Sequence, residues 1–396
     1  MKNKQTRIKY KPRKYNLYKK KRSKGKEALA AIITIAAAIV LCVVGYGIGK
    51  PVVDYFQRKD NTSSDSSEPW SPTSEATSDS SSDIPEQTEP VPEQTAPPEP
   101  QKPEVKSVYI LPESAALNSD SLNSAIAAAK NSGAQSVAVT LKDNTGHFLY
   151  KTEIGGVAEA DIVSGALTAK QICDIINKSG MTPAARISTT KDHVSGVYAG
   201  ENFRLSDGTG TWLDAAPANG GKRWLNPFSE KTAAYLGSVA EEISAAGFET
   251  IVLCDTMLPE FHPSDYSVYL YALPISNSAA RCEALWSVIS ACKNSAEKNG
   301  AKVILEMSAD GLNASDRLST DAEPANDPQK LADTVLLLDF NGSGKSFADA
   351  KAFAGQTKAQ FSGEFAVRIK GSGFSAGTLD EIKRAFLSEG IVVFTE

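Results

Sequence analysis

From Val105 to Glu396 the chain alternates short apolar runs, rich in β-branched residues, with stretches of helical period. The runs are Ser107–Pro112, Ser136–Asp143, Pro183–Thr189, Thr250–Thr256, Lys302–Asp310, Thr334–Phe340, Glu364–Gly371 and Ile391–Glu396. The pattern predicts helices over Ser121–Ser132, Thr168–Ser179, Ser229–Ala246, Ser278–Asn299, Pro328–Asp333, Phe347–Thr357 and Thr378–Ser388. Glycine stands directly before the next strand at Gly133, Gly180, Gly247, Gly300 and Gly390, where a left-handed residue can stop the helix. Eight strands separated by seven helices predict a (β/α)8 TIM barrel, an α/β fold, lacking its last helix. A doubly wound open sheet is the competing arrangement. It would be long at eight strands, and no GxGxxG follows the first of them.

The pattern before the barrel is different. Ala28 to Gly49 is a run of 22 residues without a charge, which as a helix spans about 33 Å, enough for a bilayer core. The first 26 residues carry 13 Lys or Arg and no acid. This basic tail (1–27) predicts a cytoplasmic N-terminus, a transmembrane signal anchor over 28–49 and an extracellular remainder in contact with the cell membrane. Leu41 before Cys42 does not suit a lipoprotein signal, and Gly45-Tyr46-Gly47 is a poor cleavage site, so the anchor is expected to be retained. From Asp60 to Glu104 eleven acids face Lys102 alone among Ser, Thr and Pro. Residues 50–104 are therefore expected to form a disordered stalk carrying the domain at 105–396.

Charge narrows the partners. The formal net charge of −5 less the +13 of the tail leaves −18 on the rest. An acidic body argues against nucleic acid, whereas membrane lipids suit the anchor and tail. Cys173, Cys254, Cys282 and Cys292 form no CxxC pair and read as small core residues. The three histidines show no metal spacing, and no cofactor is expected. Gly342–Ser346 (GSGKS) lacks the earlier glycine of a phosphate loop, since Asp339 stands in its place.

In a barrel of this kind chemistry gathers where strands end and the following loops begin. The polar residues there include Glu113, Asp143, His147, Lys191, Asp192, His193, Asp255, Glu260, Asp310, Asp339 and Lys370. The loops after the third strand (Thr190–Pro227) and fourth strand (Met257–Asn277) are long and carry Trp212, Trp224, Phe228, Tyr266, Tyr269 and Tyr271. Such rings can stack on sugar faces or fasten the loops to the barrel. The strand-end acids can carry chemistry, cap neighbouring helices or pair with Arg186, Arg368 or Lys370.

Three stretches carry a resemblance: KDNTG (Lys142–Gly146), ARISTTKD (Ala185–Asp192) and RWLNPFSE (Arg223–Glu230), the last opening the helix that leads through AAGFETIVLCD to Asp255. Together they resemble the glycoside hydrolase domain family of bacterial membrane-anchored envelope proteins, of which this chain looks like a divergent member. In that family the fourth-strand Asp is usually followed by an aromatic residue and an Arg before Pro. Here the text is Asp255-Thr256-Met257-Leu258-Pro259, and the sixth strand ends Leu338-Asp339-Phe340-Asn341 instead of in a Tyr-containing segment.

The resemblance implies hydrolysis of envelope or environmental polysaccharide by two carboxyls. By analogy with the alpha-amylase superfamily, Asp255 would be nucleophile or base, and Asp310 or Glu306 the acid. Glu306 and Asp310 lie four apart, on one strand face, with Glu306 the deeper. Asp143, His147, Asp192, Trp212, Trp224, Tyr266 and Asp339 are the expected substrate contacts. The altered positions leave a non-catalytic glycan-binding barrel and a structural cell-surface barrel as alternatives. Protease shaving of intact cells should cut within 60–104, and protection of that segment would refute the expected orientation.

Overall fold

The computed structural model describes residues 106–199, 203–206, 210–261, 265, 273–309, 312, 327–372 and 374–396. The segments expected to form the transmembrane anchor and the stalk lie outside them, as do Asp310 and Tyr266. Among the described residues no helix is long and apolar enough to cross a membrane.

All eight strands form: β1 Ser107–Ile110, β2 Ser136–Lys142, β3 Thr182–Ser188, β4 Thr250–Cys254, β5 Lys302–Ser308, β6 Val335–Asn341, β7 Phe365–Lys370 and β8 Val393–Thr395. Each pairs in parallel with its neighbour, and β1 pairs with β8 through Ser107↔Val393, closing the barrel. The seven expected helices form as α1 Ser119–Asn131, α2 Ala169–Lys178, α4 Glu230–Ala245, α5 Ser278–Glu297, α6 Pro328–Ala332, α7 Phe347–Gln360 and α8 Ala376–Ser388. An unexpected short helix, α3 (Ser195–Ala199), lies in the third loop. Side chains cap most helix starts: Thr168 and Gln171 form a reciprocal box on α2, and Ser346 and Asp349 do so on α7. The five glycines expected to end helices all have positive φ, from 73° to 102°.

Strand alternation sorts the apolar residues into two cores. Outward-facing Val139, Ile187, Leu253, Leu305, Leu338 and Val367 pack against helix residues such as Leu122, Ile172, Val239, Trp286 and Ile382. Inward-facing Val108, Ile110, Ala138, Ala184, Val252, Leu337, Ala366 and Phe394 fill the lower lumen, with Ile304 against them. Two positions further along their strands, the same inward face carries Arg186, Glu306, Asp339 and Arg368. The lumen therefore changes from hydrocarbon to charge at mid-height, and the charged half opens at the C-terminal ends of the strands.

β8 is short, but Val393 and Phe394 are fully buried, so together they contribute about 3–6 kcal/mol of hydrophobic stabilisation. Deleting residues 391–396 also bares the edges of β1 and β7. A chain ending at Gly390 should lose its cooperative thermal transition, and an unchanged melt would contradict the role of β8 in closure.

Candidate active site

The floor of the mouth is one ionic network. Glu306 on β5 accepts from Arg186 of β3 at 2.8 Å and from Arg368 of β7 at 2.6 Å. These three side chains are only 12–13% exposed. Arg368 also pairs with Glu396, just beyond β8. Burial alone would raise the pKa of Glu306, but the two guanidiniums outweigh it and hold the carboxyl below its ordinary range. The Cys254 thiol donates to the same carboxylate at 3.3 Å, and its own pKa is pushed far up by burial. A general acid must hold its proton near neutrality. Glu306 is built the other way, which corrects its expected role as the acid.

Above this floor a cavity of about 230 Å³ is lined by Glu113, Lys142, Asp143, Ser188, Asp255 and Lys370, among others. Asp255 follows β4 directly and has φ +52°, making it the one non-glycine with positive φ among the described residues. A left-handed L-residue costs roughly 1–2 kcal/mol, somewhat less for Asp, so its surroundings must impose that conformation. They do so through three hydroxyls of β3 and its loop. Ser188 Oγ donates to Asp255 Oδ2 at 2.9 Å, and Thr190 Oγ1 donates to the Asp255 carbonyl at 2.8 Å. Thr189 Oγ1 bonds Thr256 Oγ1 at 2.9 Å. Among the described residues Asp255 forms no ion pair, and it lines the cavity together with Lys142 and Lys370.

The loop after β2 forms one wall. A register shift between Thr140 and Lys142 re-aims the end of that strand. Lys142 then meets Asp192 at 2.7 Å, both side chains fully buried, and donates to the Ser188 carbonyl at 2.8 Å. Asp192 also accepts from the backbone N–H of Val194 and Ser195. Asp192 was expected to contact substrate, but it is a buried structural partner. Gly146, with φ +93°, passes so close that a Cβ would lie 2.1 Å from Asp192 Oδ1. Asp143 does reach the cavity. Its Oδ1 accepts from Thr145 N at 2.8 Å, Thr145 Oγ1 at 2.7 Å and His147 N at 2.9 Å, and His147 Nδ1 lies 3.9 Å from Oδ2.

A second cavity, of about 530 Å³, lies between the ends of β6 and β7 and the start of α7. Its lining includes Ser308, Asp339, Asn341, Lys345, Asp349 and Lys370. Lys370 lines both cavities and pairs with Asp339. The N-terminus of α7, following GSGKS, is occupied by the carboxylate of Asp349, which accepts from Ser346 N at 2.8 Å. That interaction places negative charge where an anion would otherwise bind.

The loop tryptophans are not at the mouth. Trp212 (4% exposed) and Trp224 (6%) pack with Leu205, Leu258, Phe261, Ile275 and Leu285 in a satellite core joining the third and fourth loops to α5. Trp224 Nε1 donates to Asp214 Oδ2 at 3.0 Å, and the Trp212 and Phe261 rings lie 5.3 Å apart. Both tryptophans were expected to stack on sugar, but burial in this structure leaves them no free face. The structure therefore gathers Asp143, Asp255 and Glu306 around one cavity and sets Asp339 in the next.

The model of a family described as "Putative glycosyl hydrolase domain" matches residues 107–308. The chain belongs to this family. Comparison with curated proteins gave no match. The glycoside hydrolase domain of PgaB (BpsB) from Bordetella bronchiseptica is similar in fold, with a TM-score of 0.51 and 11% identity over 74% of this chain and 93% of that one. The catalytic domain of a beta-amylase from Paenibacillus polymyxa gives 0.47 and 12%, over 73% and 91%. A hypothetical protein from Ruminiclostridium thermocellum ATCC 27405 gives 0.39 and 18%, over 50% and 96%.

In this member of the glycosyl hydrolase domain family, the segments that carry the resemblance are the braces around Asp255. TTKD supplies the two threonines and Asp192, KDNTG supplies Lys142 and Gly146, and Leu225 of WLNPFS bonds the Thr190 carbonyl at 3.2 Å. The hydroxyls Ser188, Thr189 and Thr190 were not among the expected site residues. Their signal was present as a run of three small polar residues directly after a buried strand.

The lowered pKa of Glu306 fixes a pH dependence. A carboxyl depressed on folding stabilises above its ordinary value of 4.5, and that contribution is lost as pH falls through the folded value. Glu306→Gln should cost about 3–5 kcal/mol at pH 7 by removing the carboxylate from half-buried Arg186 and leaving Arg368 with Glu396 alone. The gap from wild type should shrink in melts below pH 4.5. A gap independent of pH would mean that Glu306 charge is not what the network holds.

Proposed function

We propose that this barrel is a glycosidase acting on cell-envelope or environmental polysaccharide by a two-carboxylate mechanism, with Asp255 as the ionised member. The carrying observation is Asp255 itself, an acid held in a strained conformation at the end of β4, without a cation, above a polar cavity. Strain of this kind persists only where neighbours impose it, and such residues cluster at working sites. Family membership supports the reaction class, and the position at the C-terminal end of a barrel strand supports the role. Asp310, expected as the acid, lies outside the described residues, and Asp143 is the nearest candidate for holding sugar hydroxyls.

The proposal includes the membrane anchor over 28–49. The chain enters β1 at Lys106, on the face opposite the mouth, where the Lys106 carbonyl accepts from Val393 N at 3.0 Å.

A non-catalytic glycan-binding barrel is favoured by one observation, the arginine clamp on Glu306, which removes the deeper β5 acid from catalysis. Hydrolysis and glycan-array screens of the full chain separate the two readings. If the barrel is a hydrolase, Asp255→Asn should lower kcat by about 10²–10⁴-fold while glycan binding stays within a few-fold. Binding without turnover by the wild type would favour the second reading, and full activity in a stable Asp255→Asn protein would refute the mechanism.

A further inference from the structure

We propose that Asp339 is the proton donor for glycosidic cleavage, acting across the mouth from Asp255; this deepens the hydrolase reading and rests on it. Asp339 lies two positions beyond lumen-facing Leu337, so alternation places it on the inner face of β6, where the charged layer opens. It lines the larger cavity, and Lys370 connects that cavity to the one holding Asp255.

Its two oxygens are in unlike positions. Oδ2 accepts from Lys370 Nζ, whereas Oδ1 is buried and has no hydrogen-bond partner among the described residues. A buried oxygen left unpaired on a charged carboxylate costs about 1–3 kcal/mol or more, and protonation lowers that cost by removing the charge. Burial accordingly raises the pKa of Asp339 and Glu306 raises it further, while hydrogen bonding and charge from Lys370 and the charge of Arg368 oppose them. Lys345 and Asp349 face the same cavity from the following loop and α7. Rotation of the carboxyl about its terminal torsion, which is broad and two-fold, exchanges the buried and cavity-facing oxygens. The proton can therefore be presented to a ligand in the cavity that Asp339 lines, next to the one holding Asp255.

β4 and β6 are separated by one strand, so their inward ends are about two strand spacings apart, roughly 9–10 Å. A spacing of the strands of that order leaves room for a water between the two carboxyls, the arrangement that inverting glycosidases use. In the resulting step Asp339 gives its proton to the glycosidic oxygen as the bond from the anomeric carbon breaks. A water attacks that carbon from the opposite face and its proton passes to Asp255, forming the new C–O bond with inverted configuration. The two carboxyls then exchange the proton through solvent.

The test uses the full chain and pairs of substrates differing only in leaving group: glucosyl, galactosyl and N-acetylglucosaminyl fluorides against the matching disaccharides. Fluoride departs with little help from an acid, so Asp339→Asn should lose about 10²-fold or more on the disaccharide and only a few-fold on the fluoride. Asp255→Asn should lose both. Wild type should show an alkaline limb in kcat/KM for the disaccharide, and Lys370→Gln should move that limb to higher pH by removing the cation that favours ionised Asp339. The Lys370 experiment stands even if Asp339→Asn does not fold. Equal losses on both substrates in Asp339→Asn, an unmoved alkaline limb in Lys370→Gln, or a retained anomer would each overturn the assignment while leaving the hydrolase reading intact. A wild type that cleaves none of these substrates or the screened polysaccharides overturns both.

Discussion

The contact on which this barrel depends is Glu306 held between Arg186 and Arg368. A charge inside a barrel lumen is stable only when it is paired and hydrogen-bonded, because its desolvation costs several kcal/mol. The three residues come from β3, β5 and β7, alternate strands that fill one layer of a barrel interior. The network thus closes the lumen with charge where the apolar layers of Val252, Leu337 and Phe394 stop. It also determines what can happen above it. With both arginines committed to Glu306, and Arg368 to Glu396 as well, the floor of the mouth offers a substrate little uncompensated positive charge.

The second constraint is the brace around Asp255. Strand β3 delivers three hydroxyls in succession, and a residue leaving β4 can turn left-handed only because those groups take up its carbonyl and carboxylate. The brace is in turn fixed by the Lys142–Asp192 pair, which has no access to solvent. A buried pair with good geometry does not make the fold much more stable than hydrocarbon would. It does penalise every arrangement in which one partner is lost, so it selects a single loop conformation. Gly146 follows from the same packing, since any side chain there would collide with Asp192.

Much of the architecture was legible in the sequence because it rests on periodicities of two and 3.6, which survive without any knowledge of contacts. All eight strands and seven helices lie within a few residues of their expected places. The site was legible only in part. Strand ends located Asp143, Asp255, Glu306 and Asp339, and Arg186, Arg368 and Lys370 were visible as possible partners. Which acid meets which cation is set by register across strands up to 120 residues apart, as for Arg186 and Glu306, and no local pattern encodes that. The loop tryptophans show the same limit. Their composition suggested a sugar platform, but two long loops need a core of their own, and Trp212 and Trp224 supply it.

Three neighbouring strands thus present three carboxyls to one mouth, and their surroundings drive them apart. Glu306 lies between two arginines, which hold its carboxyl below the ordinary range. Asp339 is half-buried, with Lys370 on one oxygen and no hydrogen bond to the other, and burial raises its pKa. Asp255 has neither a cation nor deep burial, and is distinguished by backbone geometry and hydroxyl contacts instead. A barrel can run acid and base chemistry side by side only when equivalent groups are given unequal environments. Burial does most to raise the Asp339 carboxyl and the Glu306 charge adds to it, while Lys370 and Arg368 work against both.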